Sequence, residues 1–484
     1  MKNNKYSIIS FSFLISTLFL GIILLISSCK KTNYKPGALQ VSFEVDTFLF
    51  DTVFTEQGSS TRVLKIFNTS KEDIEIEHIA LKKGNSSPFS LNIEGEMGKS
   101  AKNIKILAQD STYIFLRVFI DPTDENNPFL ISDELLIQSA DGSKTLPILA
   151  YGQNAVYIKD SVLQSQSWTD EKPYIIMHNA LVDEGETLTI NAGTRIYMHA
   201  DSRLFVTGTL KIQGSLEHPV QFEGDRIDRK VWVGSYEDIP GEWGGIYFSK
   251  TSYNNEINYA IIKNGGNSTK LGESLVMAAS IQVDQDTMQT SNPKLKLTNT
   301  IIKNSLGYGV LGFNSSIYMD NCVIVQCGAE NVMFFEGGNY KVYNSTIATH
   351  PGRFMQATDA FSMVMLNYFP INDQEYTSAP LQAEIVNTII DGHNEDEVLF
   401  LERPGASSNV NISYSLYKSS ENLEDFVVQN ENIRNKNPKF NDWEEEDFTL
   451  KSDSPAKNKG INIGLSEDIL GNLRTAPVTI GAYQ

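Results

Sequence analysis

Four side chains have the chemistry and the spacing to act together: His350, Arg353, Asp391 and His393. An imidazole can take a proton at neutral pH, a guanidinium can hold a carboxylate, and a carboxylate can orient the imidazole or act as an acid. Together they could supply a base and a carboxylate clamp. Both histidines lie six residues past an asparagine, Asn344 and Asn387, and Cys327 lies six past Asn321. Equal offsets from a recurring residue place the three on one edge of a repeat, with Arg353 and Asp391 beside them. The same offset holds Gly265, Ser305 and Ser420 on other repeats, so a shared column also arises without chemistry. No zinc spacing, nucleotide-binding glycine loop or nucleophile elbow occurs in the chain. No cofactor is expected, and Ca²⁺ only if the protein is an enzyme.

The repeat that positions these residues is clearest at Asn299-Thr300-Ile301-Ile302-Lys303-Asn304. Asn321-Cys322-Val323-Ile324 follows 22 residues later, Asn344-Ser345-Thr346-Ile347 another 23, and Asn387-Thr388-Ile389-Ile390 another 43. Tyr259-Ala260-Ile261-Ile262 lies 40 residues upstream of Asn299, and Tyr414-Ser415-Leu416-Tyr417 lies 27 beyond Asn387. A period near 22 on short apolar runs, without helical spacing, predicts a β-solenoid. One position past each corner residue is small (Ala260, Thr300, Cys322, Ser345, Thr388, Ser415). Three past come Ile262, Ile302, Ile324, Ile347, Ile390 and Tyr417. These predict an interior ladder, like on like, at the strand spacing of about 4.8 Å. Asparagine at a tight corner bonds to its own turn and to neighbouring rungs, so Asn299, Asn321, Asn344 and Asn387 are assigned to structure.

The chain opens with two lysines and a long apolar run over 8–26, followed by Ser27-Ser28-Cys29. A charged start, an apolar core and small residues make a secretory signal. The ending resembles the lipobox of bacterial lipoproteins, which implies cleavage after 28, diacylation of Cys29 and tethering to a membrane outside the cytoplasm. An uncleaved membrane anchor is the other reading of the run. Residues 29–40 read as a tether with a Pro36-Gly37 turn. Formal charge is −19, and −21 once Lys2 and Lys5 leave with the leader. Such a surface repels nucleic acid and tolerates neutral glycans and divalent cations. Cys322 and Cys327 alone remain after Cys29, so no disulfide framework is expected. Buried free thiols are the reading, with a local bridge as the alternative.

Residues 41–154 alternate apolar and polar in short runs such as Arg62–Phe67, Ile74–Ile79, Ser111–Phe119 and Asp133–Ile137, the pattern of a β-sandwich. Phe67-Asn68-Thr69-Ser70, Ser87-Pro88-Phe89-Ser90, Phe119-Ile120-Asp121-Pro122 and Leu149-Ala150-Tyr151-Gly152 resemble Hydin-like immunoglobulin-type domains, which implies a spacer or protein-contact module. Residues 155–436 then form the solenoid. Gly185–Ile190, Asn191–Met198, Leu204–Gly214, His218–Phe222 and Glu242–Phe248 resemble the opening rungs of right-handed parallel β-helix proteins of the pectate-lyase-like superfold. Residues 437–484 carry Asn437-Pro438, Asp447-Phe448, Ser454-Pro455-Ala456 and Ile480-Gly481-Ala482-Tyr483, similar to the segment that caps the last rung in that family. The fold class is therefore all-β, an immunoglobulin-like sandwich followed by a right-handed parallel β-helix.

Two insertions, 224–240 and 351–380, break the repeat and are expected on the binding surface. Trp243 is expected under the next rung rather than exposed to sugar. The acids Asp442 to Asp447 read as a solvated turn. Enzyme strings of the β-helix families are absent; the nearest, Gly392-His393-Asn394, lacks its second glycine. The functional expectation is a lipid-anchored envelope protein, placed at the outer membrane, that binds a glycan or an envelope protein without catalysis. A lyase or hydrolase with a diverged site, and a purely structural envelope role, are the alternatives.

Overall fold

The computed structural model describes residues 39–139, 142–227, 238–271, 274–288, 290–353, 355–372 and 374–484. The leader, Cys29 and most of the tether lie outside the described residues, as does the middle of the 224–240 insertion. The chain divides into two compact units, residues up to 123 with 128–153, and 124–127 with 154–484.

The first unit is a sandwich of two five-stranded sheets. One takes the order Val41–Phe43, Arg62–Asn68, Ser111–Val118, Phe89–Ile93, Glu96–Gly98. The other runs Phe48–Phe54, Gly142–Gln153, Phe129–Ser139, Ile74–Leu81, Ser100–Ile106. Alternation in the sequence becomes alternation in burial: Leu64, Ile66, Ile76, Ile79, Ile114, Leu116, Leu135 and Ile137 are all fully buried between the sheets. Pairing is antiparallel except where Gly142–Gln153 runs parallel to Phe48–Phe54. Asn68 ties the edge together, its amide donating to the carbonyls of Glu72, Ile106 and Leu107.

The second unit is a parallel β-helix. Its 26-stranded sheet begins at Val156–Leu163 and ends at Ile433–Arg434, two short turns earlier than the first rung legible by repeat. Each rung contributes strands to three columns. Column one holds Ala260–Lys263, Ile301–Lys303, Val323–Val325, Thr346–Ala348 and Ile389–Asp391. Column two holds Gly245–Phe248, Ala279–Val283, Met363–Leu366 and Val398–Leu401. Column three holds Leu295–Thr298, Leu381–Val386 and Ser408–Ser413. Tyr308–Asp320 and Val332–Tyr343 run through columns two and three without a break.

The isoleucine ladder forms in register: Ile262 pairs with Ile302, then Ile324, Ile347, Ile390 and Tyr417, all fully buried. Phe222 and Ile196 extend it upstream. The corner before column one is left-handed on the repeat rungs, with φ between 43° and 54° at Tyr259, Asn299, Asn321, Asn344, Asn387 and Tyr414. Asparagine tolerates that conformation best among residues with a Cβ. It also stacks: the Asn321 amide donates to Asn299 Oδ1 at 3.0 Å, and the Asn387 amide to Asn344 Oδ1 at 3.2 Å.

Two expectations need correction. The 351–380 stretch is not wholly an insertion, because Met363–Leu366 is a regular rung strand paired with Val332–Phe334 and Val398–Leu401. What projects is the hairpin Tyr368–Pro370 with Tyr376–Ser378. Phe369 packs edge-on against Phe313 and Phe335, each 5.4 Å away. Residues 437–484, in turn, lie along the side of the helix. Their Phe440, Phe448, Leu450, Ala456, Ile469, Ile480 and Ala482 cover Val323, Val325, Ala348, Ile389 and Leu416 on the outer face of column one. The reason is that the outer face is apolar at these positions, so burying them yields more than covering one terminal rung.

Candidate functional site

The column-one strand Ile389–Asp391 ends at Asp391, whose side chain points outward like that of Ala348, its register partner. His350 lies two residues beyond Ala348, and its Nε2 meets Asp391 Oδ2 at 3.1 Å. Both are largely enclosed, with side-chain exposures of 12% and 6%. The imidazole is stacked on Trp443 at 4.8 Å and 16°, and faces Phe440 edge-on. The pair therefore joins the end of that strand to the C-terminal segment. The stacked imidazole is oriented on the carboxylate, but the indole occupies the face by which a ring would approach.

The other candidates separate from it. Arg353 is well exposed and its guanidinium lies 3.5 Å from Asp238 Oδ2. His393 donates through Nδ1 to the Thr349 carbonyl, 3.0 Å away, on an exposed loop. Cys327 turns inward and is buried in the interior core with Ile324. The equal offset of His350, His393 and Cys327 does not make a shared edge, because all lie past the strand end, where the corner turns each side chain differently. Cys322 and Cys327 are both free and buried, and burial pushes the Cys327 thiol up to about 12.

Two adjoining cavities share His350, Asp391 and Asn437 as a wall. One, about 360 Å³, adds Glu395, Lys418, Ser420, Asn435 and Lys436. The other, about 270 Å³, adds Lys439, Trp443, Lys451 and Asp453. Carboxylates, lysines and a histidine thus converge beside His350, though not beside His393. Nearby Glu397 is a structural acid, fully buried and holding the Thr349 and Ser362 hydroxyls and the Ser362 and Asn394 amides. Its place in the acidic string Asn394-Glu395-Asp396-Glu397 reads as solvated loop, so sequence gives no signal for it.

A third feature was not legible from motifs. The outer face of column three is polar, and a groove of about 510 Å³ lies on it. Its floor carries Ser316, Tyr318, Asn339, Lys341 and Gln382, with Thr290, Asn292 and Asn314 along the side. Ser316 pairs with Asn339, then Gln382 and Asn409; Tyr318 pairs with Lys341, then Glu384 and Asn411. Tyr343 continues the face, edge-on to Tyr318 at 5.6 Å and donating to Glu384 at 2.6 Å. Among the described residues Asp286 is the one carboxylate lining the groove, and the Ser316 hydroxyl donates to it at 2.5 Å.

Elsewhere, burial pushes the Glu242 carboxyl up to about 8, with Asp225 and Glu223 adding to the rise against Asn264 and Arg226. Trp243 is fully buried, stacks with Phe222 and donates to the Lys263 carbonyl at 2.8 Å. Among the described residues no group of three or more His, Cys, Asp or Glu side chains is arranged to hold a metal ion.

No family model matches the chain, and no curated protein does. Among solved structures, a PapD-like domain of human CEP192 is 11% identical over 26% of this chain and 92% of its own length, with a TM-score of 0.17. A family 123 glycoside hydrolase from Clostridium perfringens is 7% identical over 23% of this chain and 26% of its own, with a TM-score of 0.17. The catalytic domain of a GH87 α-1,3-glucanase, solved with tetrasaccharides, is 10% identical over 87% of this chain and 98% of its own, with a TM-score of 0.17. Likeness of that size carries no argument about activity.

Proposed function

We propose that the protein binds an extended glycan along the outer face of column three and does not cleave it. The observation that carries this reading is the polar ladder itself. Amides and hydroxyls at Ser316, Asn339, Gln382 and Asn409 repeat once per rung in register, about 4.8 Å apart. Sugar hydroxyls along a chain need repeated donors and acceptors of this kind, and Tyr318 offers a ring to one sugar face. The groove is open, so a long chain can pass through it without an end having to enter. Cys29 would carry lipid and place this surface at the outer membrane of a bacterial envelope.

A panel of neutral and acidic polysaccharides tests the reading, with binding and released product followed in the same samples. Binding without product, lost in Tyr318→Ala and Asn339→Ala, supports it. Product release overturns it in favour of a lyase or hydrolase. That second reading draws on the His350–Asp391 pair and the lysines beside it.

A further inference from the structure

Because residues 437–484 lie along the side of the helix, the column-three strand of its last rung has no cap. Val427–Asn430 pairs in parallel with Ser408–Ser413, and among the described residues no strand pairs with its other edge. Alternate residues of a parallel strand face opposite neighbours. The Phe426 and Asn430 carbonyls accept from the Val410 and Tyr414 amides, so the even-numbered residues face the previous rung. The Val427 carbonyl and both backbone groups of Gln429 therefore face outward, and Val428, Gln429 and Asn430 are all exposed. The interior is already closed at this end. Leu423 and Phe426 pack against the core, and the Tyr417 hydroxyl donates to the Gln429 side chain at 2.5 Å. What stays open is backbone.

An edge elsewhere in the chain is guarded. Ser100–Ile106, an outer strand of the sandwich, carries exposed Lys102 and Lys105 and a left-handed Asn103. Such features stop a further strand from adding. Val427–Asn430 has no lysine, no proline and no left-handed residue, and Val428 on its outer face is 55% exposed. Charge then selects the occupant. Glu424 and Asp425 precede the strand and Glu431 follows it, all exposed and without a side-chain partner among the described residues. The nearby cations are placed elsewhere: Arg434 donates to the Ser419 and Glu421 carbonyls and to Asn422, and Lys436 lines the space beside His350 with Glu395. A second copy of this end would set three more acids against these three, whereas a strand bearing lysine or arginine gains from them. We infer that the open edge Val427–Asn430 docks an extended, basic segment of another protein, which adds as one more strand to column three. Backbone pairing to Val427 and Gln429 holds the segment, and the three acids select its charge. The site is separate from the column-three groove and stands whether or not that groove binds glycan.

Fluorescence anisotropy on residues 39–484 tests this with two labelled hexapeptides, one alternating lysine with valine and one alternating glutamate with valine. The lysine peptide is expected to bind, and the glutamate peptide to bind at least about tenfold more weakly. Hydrogen exchange separates strand addition from loose attraction to an acidic protein. With the lysine peptide bound, the Gln429 amide should exchange at least about tenfold more slowly. Gln429→Pro removes that amide and should weaken binding about tenfold or more. Val428→Lys, at an exposed position where the fold is not at stake, should weaken it in the same direction by repulsion. No binding, binding without protection of Gln429, or unchanged affinity in either variant overturns the proposal. Equal binding of the glutamate peptide overturns its basic half. A dimer of the peptide-free protein that Gln429→Pro dissociates would assign the edge to a second copy and overturn the choice of partner.

Discussion

The Arg474 guanidinium donates to Asn321 Oδ1 at 2.8 Å, joining the C-terminal segment to the corner ladder across 153 residues of sequence. The same Nη2 reaches the Gly481 carbonyl at 3.0 Å, and burial pulls the guanidinium down to about 10. Asn321 in turn donates to the Glu467 carbonyl and to Asn299. Arg474→Met keeps the volume and removes the bonds, leaving buried acceptors unpaired. A loss of about 1–3 kcal/mol is expected, read as a lowered urea midpoint with unchanged slope. An unchanged midpoint would mean that the apolar contacts alone seat the segment.

Removal of 437–484 is a harsher test of the same relationship. It exposes Val323, Val325, Ala348, Ile389 and Leu416, a contiguous apolar strip along parallel strands. Strips of this kind associate, so the shortened chain is expected in the insoluble fraction, or as oligomers by light scattering. If 437–484 were only a lid on the last rung, the shortened chain would stay monomeric.

Asn387 separates the two things a corner asparagine does. Its φ of 54° is left-handed. Its side chain donates to Asn344 and to the Ile461 carbonyl at 2.7 Å, and accepts from the Ile461 amide at 2.9 Å. Asn387→Gly keeps the backbone easy and loses the bonds; Asn387→Ala loses both. The glycine variant should cost about 1–3 kcal/mol from unpaired buried groups, and the alanine variant about 1 kcal/mol more from the left-handed backbone. Equal losses would show that backbone strain contributes little there.

The interior of the helix was legible because stacking makes each rung repeat its neighbours: the isoleucine column and the asparagine corners sit where their spacing puts them. The outer faces were not. Ile301, Val323, Ile389 and Leu416 belong to the same apolar runs as the interior residues, and nothing local says that a segment from the far end covers them. Of the four candidate residues His350 and Asp391 come together, whereas the single edge expected for His350, His393 and Cys327 depended on their equal spacing. Equal offsets identify residues stacked in one column only while the strand lasts, and His350, His393 and Cys327 lie beyond it. The contact that does form joins different offsets, His350 six past its asparagine and Asp391 four past the next. The polar ladder of column three went unread because Ser316, Asn339 and Gln382 resemble any solvated strand face until register aligns them.

The two thiols give a direct check on the core. Cys322 and Cys327 are free and buried, and burial raises both. A thiolate is the reactive form, so a native sample of residues 39–484 should not react with a disulfide reagent at pH 8. Both thiols should react once the protein is unfolded in guanidinium. Reaction of the native protein would mean that the rungs open there.

Glu242 makes a prediction about pH. Desolvation is the main cause of its rise to about 8, and its Oε1 has no hydrogen-bond partner. A carboxyl raised in the folded state contributes stability that is complete below its unfolded value of 4.5 and is lost as pH climbs through 8. In that window the unfolded chain has released a proton that the folded chain keeps. His199 is also raised, mainly by its hydrogen bond to Asp225, and its contribution is lost in the same direction, but only above its ordinary value of 6.5. The interval from pH 4.5 to 6.5 therefore isolates Glu242 from His199, and a fall of about 2 kcal/mol across it is the expected size. Glu242→Gln keeps the shape and cannot ionise, so its urea stability should lack that part of the fall and exceed wild type at pH 6.5. A variant that tracks wild type across the interval would show that water reaches Glu242 and that its carboxyl titrates normally.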